Sequence, residues 1–134
     1  MKGEIIYKLG FVPDTDQLID VLRSSGINRP ITERERISKM FLNSNLLITA
    51  WDGNLLVGVS RSLTDFCYCC YLSDLAVRSE YQHSGIGSRL IGLTREHIGP
   101  GTSLILLAAV PAMDYYPNIG FEKISNGFII KRKA

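Results

Sequence analysis

The apolar positions of the chain change their period from block to block, and those changes lay out a series of elements. Glu4 to Lys8 reads as a short first strand. Pro13-Asp14-Thr15 then offers Asp14 or Thr15 as the cap of a helix running to about Ser24, with Leu18, Val21 and Leu22 as its apolar stripe. Gly26 to Pro30 interrupts the pattern. Thr32 followed by Glu35 has the spacing of a capping box and opens a second helix with Ile37, Met40 and Phe41 on one face. Asn45 to Trp51 and Asn54 to Leu63 are strand-like runs joined across Asp52-Gly53, a pair that tolerates the positive φ of a tight hairpin and so predicts antiparallel pairing. Tyr68 to Val77 is a third long strand.

From Ile86 the residues Ile86, Leu90, Leu93 and His97 recur at helical spacing until Gly99-Pro100-Gly101 ends the helix. Ser103 to Ala108 is a continuous apolar run, the pattern of a strand covered on both faces. Pro111 to Asn118 reads as a short helix. Phe121 to Ile124 and Phe128 to Lys131 form a final hairpin over Asn126-Gly127. The expected architecture is α/β with a mixed, mostly antiparallel sheet flanked by helices. Its parallel pair is Tyr68–Val77 with Ser103–Ala108, joined by a right-handed crossover through the helix between them.

A length of 134 residues suits one domain, 1–134, that buries roughly two-thirds of its unfolded surface. The composition, 46% apolar and 21% charged, is that of a chain that folds alone rather than of a disordered one. A net charge of +2, with its one basic cluster at Lys131-Arg132-Lys133, argues against a nucleic-acid partner. There is no apolar run of membrane-spanning length and no signal-peptide pattern at the N-terminus, so no membrane association and a cytoplasmic location are expected. Cys67, Cys69 and Cys70 fit neither a disulfide framework nor a zinc site. In a strand the first two face away from the third, and buried strand thiols are the expectation.

The chemistry concentrates between the third strand and the helix that follows. Gln82-His83-Ser84-Gly85-Ile86-Gly87 opens that helix, where unpaired N–H groups and the helix dipole attract phosphate oxygens if the backbone can come close. Gly85 and Gly87 permit that approach. The Gly-Lys-Ser/Thr ending of a nucleotide triphosphatase loop is missing, and His97 to Thr102 hold no acidic residue of the kind a dinucleotide fold uses. Two glycines can also make a tight turn with no ligand.

Leu75-Ala76-Val77, then Gln82 to Gly87, then Leu90, closely resembles motif A of the GNAT superfamily of N-acetyltransferases. Ala112, Tyr115, Tyr116, Gly120 and Phe121 resemble the same superfamily's motif B, in the right order and at the right distance. The element order is similar to that fold over almost the whole chain, its sharp part lying between Leu72 and Phe121. The resemblance implies acetyl-CoA as cosubstrate and a splayed central parallel pair that leaves a slot beside a bulge. The implied contacts to coenzyme A come from Leu75, Ala76, Val77, Gln82, His83, Ser84, Gly85, Ile86, Gly87 and Ser88. It also implies direct transfer of acetyl to a primary amine in a ternary complex, with the Val77 N–H polarising the thioester carbonyl.

Motif B places Tyr116 as proton donor to the leaving thiolate, since a phenol of pKa about 10 matches a thiol of similar basicity. A ring that only packs is its alternative role, and Tyr115 is the expected packing partner. Asp74 is the candidate base, with a carboxylate bridging local backbone at the bulge as the competing role. Ala109 stands where the superfamily often has an asparagine that contacts pantetheine, which removes one hydrogen bond worth about 1 kcal/mol. Acceptor recognition falls to Ser25–Thr32, Arg61–Asp65 and the Tyr115 region, where Arg29 and Arg61 are possible partners for an acidic group. A small-molecule amine is favoured over a protein amine, with no metal. A homodimer is a further possibility, because the closing hairpin leaves a sheet edge. The rival class is a non-catalytic acyl-CoA-binding or sensing module.

Overall fold

The computed structural model describes residues 3–133. Strand β1 (Ile5–Leu9) is followed by helices α1 (Thr15–Ser25) and α2 (Arg34–Leu42), and then by strands β2 (Leu46–Asp52), β3 (Leu55–Thr64) and β4 (Cys69–Val77). Helix α3 (Ile86–Ile98), strand β5 (Ser103–Ile105) and the short helix α4 (Tyr115–Asn118) complete the order. The five strands form one sheet in the order β1-β2-β3-β4-β5, antiparallel throughout except for the parallel pair of β4 and β5. The mixed sheet expected from the apolar pattern is therefore present. No described helix is long and apolar enough to cross a membrane.

The central strands are apolar on both sides because helices cover both faces. Leu18, Val21 and Leu22 of α1 and Ile37 and Phe41 of α2 pack on Leu47, Trp51, Leu56, Val59 and Ala76. On the opposite face Ile86, Leu90 and Ile98 of α3 pack on Leu46, Ile48, Ala50, Val57 and Cys70. Successive strand residues point to opposite faces, so Leu46 and Leu47, or Leu56 and Val57, serve different cores. The hydroxyls of Ser60 and Thr94 meet at 3.0 Å within the α3 layer, which satisfies two buried polar atoms with one bond.

Alternation fails once along β4, and the site depends on that failure. Arg61 of β3 lies opposite Asp74, but its neighbour Ser62 lies opposite Leu72, so Ser73 is an extra residue in β4. Cys70 consequently packs in the α3 layer while Ala76 packs in the α1–α2 layer.

Several expectations are corrected. The Thr32–Glu35 capping box does not form: α2 begins at Arg34 with Glu33 at its cap and no side-chain cap bond. Pro111 to Asn118 splits into a 3-10 turn at Val110–Ala112 and α4. Of the three thiols only Cys70 is buried, because β4 starts at Cys69 and leaves Cys67 and Cys69 exposed. The strand predicted over Ser103–Ala108 is paired only at Ser103–Ile105 and is not covered on both faces. The closing hairpin over Asn126-Gly127 is not formed, and Phe128 and Ile130 are each 99% exposed. A turn signal alone does not hold two strands together, since an isolated hairpin is marginal in water without a sheet or core to pack on.

Candidate active site

The parallel pairing of β4 and β5 stops early. Cys69, Cys70 and Tyr71 lie opposite Ser103, Leu104 and Ile105, and β4 then continues alone past Ser73 to Val77. The Arg78 N–H donates to the Val57 carbonyl at 2.7 Å, so the residue before it turns its backbone groups away from β3. By alternation Val77 and Leu75 direct their N–H and C=O groups to the side that β5 has vacated. This is the open edge expected of a slot that accepts an extended, amide-bearing ligand.

The same edge leads into the loop. Gly85 caps α3 in the left-handed conformation, with φ of 89°, and the first intrahelical bond runs from the Arg89 N–H to the Gly85 carbonyl. The N–H groups of Ile86, Gly87 and Ser88 thus precede the helical ladder, where an anion gains most from them. No acidic side chain occupies the first turn. Gln82 bends back, its Nε2 donating to the Val77 carbonyl at 2.9 Å, and the Ser84 hydroxyl donates to the Tyr81 carbonyl. His83 takes a left-handed turn conformation, φ 63°, and is exposed with Gln82, Ser84 and Gly85. Ile86 is buried in the α3 layer, so its side chain anchors the loop while its N–H remains at the helix end. Ala76 likewise contributes packing rather than an open side chain.

Helix α4 meets the α3 end of this edge. The Tyr115 hydroxyl lies 3.2 Å from Ser88 Oγ, on the first turn of α3. The Tyr115 and Tyr116 rings meet edge to face at 5.1 Å, and the Tyr116 ring meets that of Phe121 at 5.4 Å. Burial raises the Tyr116 phenol above its ordinary value; the neighbouring Tyr115 adds to this, and the Arg29 guanidinium pulls slightly the other way. The phenol is therefore neutral, and able to donate, throughout the physiological range.

Arg29 belongs to a cluster centred on Asp74, whose side chain is 0% exposed. One carboxylate oxygen accepts from Arg29 Nε and the other from Arg61 Nε. Arg61 also donates to Ser73 Oγ at 2.9 Å and to the Met40 carbonyl, which fixes it between β3, β4 and α2. Arg29 donates to the Ser73 carbonyl at 2.6 Å and to the Asn28 carbonyl at 2.7 Å, and it keeps 23% of its side chain exposed. The extra residue Ser73 and the carboxylate of Asp74 thus hold the loop between α1 and α2 against the head of the slot. Neither oxygen of Asp74 is left without a cationic donor, and solvent does not reach it. That geometry matches the competing role of a bridging carboxylate.

The resemblance to the two motifs implied that Leu75, Val77, the loop and the tyrosines share one edge, and in the structure Gln82 reaches Val77 while Tyr115 reaches Ser88 at the start of α3. It did not foresee the Arg29–Asp74–Arg61 cluster, whose members lie on three separate segments. The signal available was the pairing of a lone strand carboxylate with arginines in the segments expected to border it.

A family profile described as an acetyltransferase (GNAT) domain matches residues 15–131. Among curated proteins, GCN5-related N-acetyltransferase 2, chloroplastic, from Arabidopsis thaliana is 31% identical over 77 residues, which are 54% of this chain and 29% of that protein. The chain thus matches less than a third of that relative's length. Solved structures share the fold. A protein of unknown function from meticillin-resistant Staphylococcus aureus, described as a probable acetyltransferase, superposes with a TM-score of 0.82 at 23% identity, covering 96% of this chain and 100% of that one. A GNAT-family acetyltransferase of Streptococcus pneumoniae gives 0.76 at 22% identity over 98% and 100%. An aminoglycoside acetyltransferase from an uncultured soil sample, in complex with sisomicin, gives 0.67 at 22% identity over 96% and 97%.

Proposed function

The chain belongs to the GNAT acetyltransferases, and from that premise we propose that it carries acetyl from acetyl-CoA to the primary amine of a small molecule by direct transfer in a ternary complex. One observation carries the reading: the edge of β4 at Leu75 and Val77, which no strand pairs, runs directly into the free N–H groups of α3. A pantetheine arm needs the first and a pyrophosphate needs the second. The chain is accordingly an acyltransferase whose donor lies along β4.

In this mechanism Gly85, Ile86, Gly87 and Ser88 hold the pyrophosphate by their backbone, with Gln82, His83 and Ser84 shaping the turn. The Leu75 N–H and C=O pair with the pantetheine amides, and the Val77 N–H polarises the thioester carbonyl while its own carbonyl stays with Gln82 Nε2. The neutral amine nitrogen attacks that carbonyl carbon; the C–N bond forms as the C–S bond breaks. The Tyr116 hydroxyl gives its proton to the departing sulfur, and the amine's surplus proton leaves through water, since Asp74 is engaged on both oxygens. Asp74 is a positioning residue that fixes Arg29 and Arg61.

The acceptor end favours a particular amine. Two guanidinium groups against one carboxylate leave one net positive charge at the Arg29–Asp74–Arg61 cluster. That charge favours an amine that also bears an acidic group and disfavours a polycation such as an aminoglycoside. A panel of amines with acetyl-CoA, followed by release of free thiol, tests the reading. Acceptor-dependent thiol release is expected, fastest with amino acid-like amines. Coenzyme A binding with no release for any amine would instead support a non-catalytic sensing module, and no affinity for coenzyme A would remove both.

A further inference from the structure

Tyr115 carries a hydroxyl that its packing does not explain. The ring is held edge to face against Tyr116 at 5.1 Å, and Tyr116 in turn against Phe121, yet 38% of Tyr115 stays exposed. A phenylalanine would make the same ring contacts. The hydroxyl lies 3.2 Å from Ser88 Oγ, and a Cβ on Gly87 would stand 3.1 Å from it, 3.9 Å from Val77 Cγ2 and 4.0 Å from Leu75 Cδ2. It therefore sits beside the Gly87 backbone, where the edge of β4 gives way to the first turn of α3. The next residue, Tyr116, feels instead the charge of Arg29, which is bonded to the Ser73 carbonyl at the bulge. Of the two phenols on α4, Tyr115 is the one turned to the start of α3.

Two hydroxyls that share one bond use only one of their two hydrogens. Among the described residues neither Ser88 Oγ nor the Tyr115 hydroxyl has another hydrogen-bond partner, so one O–H is left to donate. It stands next to the Gly87 and Ser88 N–H groups, which precede the helical ladder, and no acidic side chain occupies that turn. We propose that Tyr115 is a donor-binding residue: its O–H, held by Ser88, donates to a diphosphate oxygen of coenzyme A across the cradle from the backbone N–H groups. This assignment rests on the coenzyme A reading given above and extends the phosphate site from α3 to α4. A hydrogen bond to a charged oxygen is stronger than a neutral one, and the ring contacts hold the phenol in place before the ligand arrives. Because Tyr116 is the next residue, a diphosphate held by Tyr115 also steadies the helix that presents the proton donor.

Calorimetric titration of the full chain with coenzyme A, for the parent, Tyr115→Phe and Tyr115→Leu, tests this. The phenylalanine variant keeps the ring and should bind about tenfold more weakly. In phosphorus NMR spectra of bound coenzyme A, its diphosphate resonances should move relative to the parent while the ribose phosphate resonance stays. Parent-like affinity in Tyr115→Phe would overturn the proposal, and a loss confined to Tyr115→Leu would assign the contact to the ring. A weaker Tyr115→Phe whose diphosphate resonances do not move, or whose ribose phosphate resonance moves instead, would overturn it as well. A parent with no affinity for coenzyme A removes the donor reading itself, which is a different outcome from a parent that binds and a phenylalanine variant that matches it.

Discussion

The Tyr115 hydroxyl lies 3.2 Å from Ser88 Oγ, which ties α4 to the first turn of α3 across 27 residues of sequence. A Cβ placed on the neighbouring Gly87 would sit 3.1 Å from that same hydroxyl. Gly87 is helical, so alanine there contributes up to about 1 kcal/mol of helix propensity. Gly87→Ala is therefore expected to melt no lower than the parent yet to bind coenzyme A several-fold more weakly, because it displaces Tyr115 and fills the cradle. Calorimetric titration with a parallel thermal melt checks this, and undiminished affinity would remove Gly87 from the phosphate site.

Tyr116→Phe keeps the ring contacts with Tyr115 and Phe121 and removes only the hydroxyl. If that hydroxyl protonates the leaving sulfur, kcat should fall on the order of 100-fold with little change in KM for acetyl-CoA. Burial holds the phenol above its ordinary 10.0, so the proton is present at lower pH and is lost only as pH rises past that value. The parent's alkaline decline in kcat should thus lie above pH 10.0, and the variant should lack the step that Tyr116 causes. Equal kcat values would reduce Tyr116 to a packing role.

Asp74→Asn places an amide N–H against a guanidinium that now meets a carboxylate oxygen. Breaking a buried ion pair from one side typically costs about 3–5 kcal/mol. Chemical denaturation should therefore show a loss near the lower end of that range, since Arg29 is partly solvated. Turnover measured well below the variant's melting temperature should fall much less than for Tyr116→Phe. A stable variant with abolished turnover would restore Asp74 as the base.

Asp65 accepts from the N–H groups of Cys67, Tyr68 and Cys69, which hold its carboxyl well below the ordinary 3.8. A depressed carboxyl stabilises the fold above its unfolded value and loses that contribution as pH falls through its folded value. Asp65→Ala should flatten the decline in stability below about pH 4 seen in acid denaturation of the parent. The same carboxylate raises the Cys67 thiol, so alkylation of Cys67 at neutral pH should quicken in the variant. Peptide mapping after iodoacetamide reads this directly, and an unchanged Cys67 rate would show that Asp65 does not control it.

What could be read from the sequence follows the physics of each segment. Strands β2 and β3 were legible because covering the sheet on both faces forces nearly unbroken apolar runs in the middle, and helix α3 because only one of its faces meets the sheet, which spaces its apolar residues at the helical period. The loop was legible because a helix start that receives a phosphate needs glycines where the backbone must come close, whereas Leu75 and Val77 were legible only through the resemblance to motif A. The α2 cap was misread because Glu33 took the cap position ahead of Thr32. Arg29 and Asp74 are 45 residues apart, and no local period links them. The final hairpin was misread because its turn residues describe a preference, whereas the burial that would fix it is missing: Phe128 and Ile130 stay exposed.

Ser73 has a consequence for how such a domain can vary. Removing this one residue would leave Leu72 followed directly by Asp74, and strict alternation would then keep Cys70, Asp74 and Ala76 on the faces they now occupy. The sheet would survive the shortening, while β4 would lose the irregularity that lies just beyond its last partner on β5. A chain one residue shorter could thus keep its architecture and lose its slot, so that a single-codon deletion separates folding from catalysis.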